Sequence, residues 1–251
     1  MSSAALDVIT ARSGRDLVLL HSLLSDRGAF DRVRPELEKS FRLQLVSLPG
    51  YGKSVSRNES SIEDYADRLA AQLDFSSETA VLGNGFGGFI ALSLAIRHGA
   101  KLAALIAAPA LAGFPAPAKE PFRIMAGKVR EGGMATVLEA AIQRMFPPAF
   151  VAAHPDIVAE RKSALAKADP ERFARACLAL SQLDFSSSLK GIKLKTLVLT
   201  GELDQTTPSA LARELAAGIP GATFHEIPGC GHCPQIERPA DFVFAVRRFL
   251  K

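Results

Sequence analysis

The apolar positions of this chain fall into short continuous runs separated by longer stretches with helical spacing. Asp16–His21 (DLVLLH), Thr79–Leu82, Leu102–Ala107 and Lys195–Thr200 (KTLVLT) are such runs, each bounded by turn residues. They read as strands covered on both faces of a sheet. Phe41–Ser47 (FRLQLVS) alternates apolar and polar, and Leu6–Thr10 and Ala222–Ile227 read as further strands. Between them, Ala29–Lys39, the stretch around Phe89–Ile96, Ser209–Ala217 and Pro239–Leu250 read as helices. A capping box, Ser61-Ile62-Glu63-Asp64, opens another helix over Ile62–Leu73, with apolar residues at 62, 65, 66, 69, 70 and 73.

Strand–helix alternation of this kind predicts an α/β fold: a mostly parallel central sheet with helices on both faces. The rhythm changes between about Ala112 and Lys190. Val129–Phe146 and Ile157–Leu183 read as helices broken by prolines 147, 148, 155 and 170, and no strand is expected there. The expected organisation is therefore a core domain of residues 1–111 and 191–251, with a helical cap (lid), 112–190, inserted over the carboxyl edge of the sheet.

Composition narrows the function classes. Apolar residues form 48% of the 251, enough to bury a full core. The net charge is +4, with Lys and Arg scattered among acids, and the chain has no Trp and two Tyr. Neither a basic stripe nor an aromatic stacking platform results, so no nucleic-acid partner is expected. No apolar run reaches the ~18 residues of a bilayer span. The N-terminus lacks a basic region followed by a long apolar core, so neither a signal peptide nor a membrane partner is expected. The three cysteines, Cys177, Cys230 and Cys233, form no disulfide framework and point to a reduced, cytoplasmic setting. A single C-x-x-C has no second pair with which to close a metal site, so no metal is expected. The remaining partner is a small-molecule substrate, with self-association left open.

The candidate chemistry centres on Gly83-Asn84-Gly85-Phe86-Gly87-Gly88, a sharp turn between the strand at Thr79–Leu82 and the helix that follows. It matches G-x-G-x-x-G, which seats a dinucleotide pyrophosphate on a helix N-terminus. Such a site also wants an acid at the end of the next strand to hold the ribose. That position reads Ala108-Pro109-Ala110, so no dinucleotide cofactor is expected. Gly52-Lys53-Ser54 falls short of a P-loop because Ser47 stands where the first glycine belongs. The same glycine turn also matches the nucleophile elbow G-x-S-x-G except at its centre, where Gly85 replaces serine.

Two later strand ends favour the elbow. Gly201–Pro208 carries Asp204, and Gly229–Pro234 carries His232. Reactive groups of open α/β sheets gather at carboxyl ends of strands. An Asp that accepts one imidazole N–H fixes the ring so that its other nitrogen can take a proton.

With these residues the chain resembles the α/β-hydrolase superfamily, and more narrowly the branch of 3-oxoadipate enol-lactonases and small esterases. His21-Ser22-Leu23-Leu24 is similar to the oxyanion segment of that branch, and Pro49–Ser54 to its P-G-x-G-x-S turn. The Asp204 and His232 loops and Glu237-Arg238-Pro239 complete the likeness. The resemblance implies an α/β-hydrolase fold, a general-base pair Asp204–His232, and an oxyanion hole from the backbone N–H groups of Leu23 and Phe86. It also implies a substrate-shaping cap over 112–190 and no cofactor. Two departures stand out. Ser47 replaces an acid, and Gly85 leaves the nucleophile position without a side chain.

Three readings of Gly85 follow. The chain is an enzyme whose His–Asp pair acts directly on water or substrate, fitting ester or lactone hydrolysis, lyase chemistry or cyclisation. Or it is a hydrolase from which the nucleophile has been deleted. Or it is a catalytically silent protein that binds a small apolar ligand. Cys230 and Cys233 flank His232 but lie away from the elbow, which disfavours them as substitutes. In the cap, Phe114, Phe122, Met125, Met145, Phe146 and Phe150 are expected mainly in its core, with a few of them also lining the pocket. Arg123 and Arg144 are expected on its surface, with the binding of a substrate carboxylate as the alternative.

Overall fold

A computed structural model of the protein describes residues 5–11 and 14–251. The first four residues, on which the expectation of no signal peptide partly rests, lie outside the described residues. Among the described residues seven strands form one sheet: β1 Val8–Ala11, β2 Arg15–Leu20, β3 Phe41–Val46, β4 Ala80–Gly83, β5 Ala104–Ala107, β6 Lys195–Gly201 and β7 Thr223–Ile227. Their order is β1-β3-β2-β4-β5-β6-β7. Only β1 runs antiparallel, pairing with β3, and every other neighbouring pair is parallel. The sheet is therefore the mostly parallel one that the apolar runs predict.

Alternation along the strands sorts the core into two layers, because successive side chains leave opposite faces. Val18 and Leu20 of β2, Val81 of β4, Leu105 of β5 and Val198 of β6 enter one apolar cluster. Leu17, Leu19, Leu82, Ile106, Leu197 and Leu199 enter the other. The first face is covered by α2 Ile62–Gln72 and α3 Phe86–His98, the second mainly by α1 Arg34–Leu37 and α11 Pro239–Leu250. The capping box of α2 forms as read: the Asp64 N–H donates to Ser61 Oγ at 3.1 Å, and the Ser61 N–H to Asp64 Oδ2 at 3.0 Å.

Three predicted helices are cut differently. In place of one helix over Ala29–Lys39 there is a 3-10 turn, Arg27–Phe30, and then the single turn α1. Pro35 sits in the first turn of α1, where its missing N–H costs nothing, so the helix restarts there. The stretch predicted as Val129–Phe146 is instead the end of α4 Ala116–Gly132 and a separate α5 Leu138–Met145. Pro117 opens α4, and Gly133, at φ 71°, ends it. Ile157–Leu183 is likewise two helices, α7 Pro155–Leu165 and α8 Pro170–Gln182. Asp169 caps the second through the Arg172 N–H. With α6 Pro148–Ala153 these are the helices between β5 and β6, and among the described residues only an isolated bridge, Gly113–Asp184, adds β structure there. The remaining helices are α9 Ser209–Gly218 and the short α10 Pro234–Glu237. Among the described residues no helix is long and apolar enough to cross a membrane.

Candidate active site

The loops after β2, β4, β6 and β7 meet at the carboxyl edge of the sheet, where each presents one part of the site. The loop after β4 is the glycine turn. A Cβ on Gly83 would lie 2.0 Å from Gly87 O, and one on Gly87 2.2 Å from Leu20 O. These glycines let α3 start flush against β4 and β2, which accounts through packing for the glycines that flank the elbow pattern G-x-S-x-G. Gly85 itself has φ 54° and ψ −116°, a conformation that costs a residue with a side chain about 1–3 kcal/mol. It is the sharp strand-to-helix turn of an elbow, with no hydroxyl on it.

Asp204 and His232 come together as expected. The Asp204 Oδ2 accepts from His232 Nδ1 at 2.8 Å and from Thr207 Oγ1 at 2.5 Å. Its Oδ1 accepts the N–H groups of Thr206 and Thr207 at 2.8 and 2.9 Å. Burial alone would raise the Asp204 carboxyl, but the His232 charge and hydrogen bond, with the Thr207 donors, outweigh it and hold the group below the usual range. A carboxylate fixed this way keeps the His232 proton on Nδ1 and leaves Nε2 free as a base. Thr207, whose Oγ1 also lies 3.2 Å from His232 Nδ1, was not visible as a site residue in the sequence. Its position three residues after the Asp, in a loop that must cap a buried carboxylate, is the signal that could have found it.

His21 is fully buried and ordered by two bonds: Nδ1 donates to Ser22 O at 2.8 Å, and Nε2 accepts the Leu48 N–H at 3.1 Å. Because a trans peptide points its C=O and N–H in opposite directions, anchoring Ser22 O turns the Leu23 N–H away from His21. Tyr51 Oη fixes the next carbonyl by donating to Leu23 O at 2.9 Å. The Leu23 and Phe86 amides have no acceptor among the described residues, and both residues line a cavity of about 30 Å³ with Gly85 and His232. The Phe86 amide also stands at the positive end of α3. Two free donors on one small cavity is what an oxyanion hole requires.

Burial lowers His21 to a pKa of about 4, from 6.5 when it is solvated. Between those values the unfolded chain takes up a proton that the folded one refuses, so stability falls as pH falls. The expected loss across this window is about 3 kcal/mol. It is measured as urea-unfolding free energy against pH, and a flatter profile in His21→Asn identifies the group.

Asn84, inside the elbow, clamps the site: its Nδ2 donates to Ala108 O at 2.8 Å and His232 O at 3.2 Å, and its Oδ1 accepts from Gln235 Nε2 at 3.1 Å. The far loops are tied to α5 as well. Thr206 Oγ1 donates to Arg144 O at 3.0 Å, and the His232 N–H to Met145 O at 3.2 Å.

The cap arginines part company. Arg123 is exposed and paired with Glu120 at 3.1 Å, as expected of a surface residue. Arg144 is instead half-buried against the face of Phe122 and lines both the small cavity and an adjoining cleft of about 820 Å³. No acidic partner pairs with it among the described residues. Phe122 and Met125 face the small cavity and Met145 and Phe146 the cleft, so these residues are both core and lining. A larger groove, about 1,200 Å³, runs past Arg15 and Phe41 at the opposite edge of the sheet and contains none of these residues. The three cysteines are buried and unpaired; burial pushes the Cys177 thiol up to about 12 and raises Cys230 and Cys233 further above the ordinary range. A thiolate at any of them is disfavoured.

The profile of the Alpha/beta hydrolase family matches residues 17–246. A pimeloyl-[acyl-carrier protein] methyl ester esterase of Chromobacterium violaceum is 29% identical, with 97% of each chain covered. Its counterpart in Edwardsiella ictaluri is 30% identical, over 94% of this chain and 93% of that one. Among solved structures, the enol-lactonase from Burkholderia xenovorans LB400 superposes with a TM-score of 0.90 at 26% identity, covering 98% of this chain and 96% of that one. A thermophilic esterase from Thermogutta terrifontis gives 0.85 at 27% identity, covering 98% and 92%.

Proposed function

The chain belongs to the alpha/beta hydrolase family, and from that premise we propose that it is a cytoplasmic hydrolase of small carboxylic esters or lactones. Asp204 and His232 are its general-base pair and the Leu23 and Phe86 amides its oxyanion hole. The observation that carries this reading is their convergence: a dyad with a free Nε2 and two unbonded amides on one cavity, over an elbow with no side chain. In the proposed reaction His232 Nε2 takes the proton of an attacking hydroxyl, Asp204 stabilises the imidazolium, and the amides hold the carbonyl oxygen as it gains charge. The named activities of the similar esterases and enol-lactonase support an ester or lactone as substrate. Residues 112–190 serve as the cap that bounds the cleft.

Arg144 narrows the substrate class. A guanidinium half-buried beside the dyad with no carboxylate of its own suits a substrate with a second carboxylate or carbonyl, held by charge-assisted hydrogen bonds. The class proposed is therefore the half-ester of a dicarboxylic acid, or a lactone bearing a free acid.

Gly85 also favours a second reading, a ligand-binding protein without turnover. One panel separates the two: p-nitrophenyl esters, half-esters of dicarboxylic acids and lactones, assayed with the parent protein, His232→Ala and Arg144→Ala. The expected result is a rate that His232→Ala abolishes. Arg144→Ala should raise KM about ten- to a hundredfold for the acid-bearing substrates alone. A panel with no rate sensitive to His232→Ala would leave the binding protein as the function.

A further inference from the structure

The room left by the missing side chain at the elbow is filled. A Cβ placed on Gly85 would lie 2.4 Å from Ser22 Oγ and 3.0 Å from His232 Nε2. The hydroxyl of one loop and the free nitrogen of another thus converge on the point from which a nucleophile would ordinarily project. The sheet register explains how. β2 and β4 pair in parallel with Leu20 opposite Gly83, and continuing that register two residues beyond the strands sets Ser22 against Gly85.

Two further observations bear on this serine, whose place beside His232 distinguishes it from the hydroxyls of Ser25 and Ser93, likewise unpartnered among the described residues. It is only 4% exposed, yet its Oγ has no hydrogen-bond partner among the described residues; the same holds for His232 Nε2. Its main chain is fixed, because Ser22 O is held by His21 Nδ1, and the amide that follows it is that of Leu23. A nucleophile at position 85 would be followed by the Phe86 amide in the same relation. Ser22 thus stands near a base to which it makes no hydrogen bond in this structure, with a rigid backbone and an adjacent oxyanion donor, and a Cβ at 85 would lie 2.4 Å from its hydroxyl.

We propose that Ser22 is the nucleophile of this site, displaced from the elbow to the neighbouring loop. The proposal rests on the esterase reading above and identifies the hydroxyl that His232 activates. Ser22 Oγ bonds to the acyl carbon as its proton passes to Nε2 and the carbonyl oxygen becomes an oxyanion held by Leu23 and Phe86. Collapse breaks the bond to the leaving alcohol, which receives that proton. Water then attacks the acyl-Ser22 ester, again giving its proton to Nε2. The second collapse releases the carboxylic acid and returns the proton to Ser22.

The test uses the full chain with two readouts. A fluorophosphonate probe, which forms a stable adduct on an activated serine without turnover, is followed by peptide mass spectrometry. A p-nitrophenyl ester gives kcat and any pre-steady-state burst. The proposal expects an adduct on Ser22 that is lost in His232→Ala, and a fall in kcat on the order of 10²-fold in Ser22→Ala. Since the hydroxyl makes no hydrogen bond, Ser22→Ala should melt with the parent, and a burst of acyl-enzyme should vanish with it. His232-dependent turnover that Ser22→Ala leaves intact, without an adduct on Ser22, would overturn the proposal. Water would then be the nucleophile, and the esterase reading would stand. If no ester is turned over, that reading falls, and the adduct alone decides: its presence on Ser22 upholds the nucleophile, its absence removes it.

Discussion

Moving the hydroxyl from position 22 to position 85, by combining Ser22→Gly with Gly85→Ser, should raise kcat/KM for a p-nitrophenyl ester by roughly 10²–10³-fold. The elbow dihedrals project a Cβ at 85 toward His232, 3.0 Å from its Nε2, so the ring must give by a few tenths of an ångström; on the proposed reading the base and oxyanion donors are then in place. Gly85→Ser alone should gain much less, because its Cβ lies 2.4 Å from Ser22 Oγ and 3.1 Å from Ser22 Cβ. Ser22→Gly removes both contacts. The two substitutions should therefore be strongly non-additive, as expected of residues in direct contact. The gain comes against stability: a side chain at φ 54° and ψ −116° should cost about 1–3 kcal/mol, or roughly 2–10 °C in Tm. A well-folded double variant with no gain would mean that the pocket does not accommodate an elbow nucleophile.

Asp204→Asn should lower kcat by about 10³–10⁴-fold with little change in KM. The reason lies in the four hydrogen bonds around the carboxylate. Oδ1 receives two main-chain N–H groups, so an amide placed there must present its oxygen to them. Its NH₂ then takes the place of Oδ2 and donates to His232 Nδ1. That forces the ring proton onto Nε2, the atom that must accept one. Steady-state kinetics on the parent and Asp204→Asn, with Tm as a control for folding, decide the point. A loss below tenfold would show that Asp204 does not set the tautomer.

Much of this arrangement was legible in the residues. The parallel strands β2, β4, β5 and β6 read as apolar runs, because a strand covered on both faces has little polar side to show; β3 alternates, and β7, at the sheet edge, is only partly buried. The meeting of Asp204 and His232 is legible from their places in the loops after β6 and β7. The helices were harder. Ala29–Lys39 and Val129–Phe146 have helical spacing, but Pro35 and the Gly132-Gly133 pair cut the backbone where side-chain periodicity runs on. Arg144 reads first as a surface residue and only second as a group for a substrate carboxylate, since a single arginine on a helix carries no mark of which way it faces, and Phe122, which stacks on it, lies on another helix. Ser22 was the least legible. Its relation to Gly85 exists only once β2 and β4 are neighbours in a fixed register, and no spacing along the chain encodes that.

The bonds from Thr206 and His232 to the carbonyls of Arg144 and Met145 have a consequence for selectivity. They join the end of α5 to the two loops that carry Asp204 and His232, so the wall of the cleft and this hydrogen-bonded pair share one mechanical frame. A guest bulky enough to push α5 outward would pull on the main chain of the same loops that align Asp204 with His232. Admission and alignment thus draw on the same few hydrogen bonds. On the proposed function, an oversized ligand should therefore be discriminated against by the disorder it brings to His232, even when the cleft itself yields.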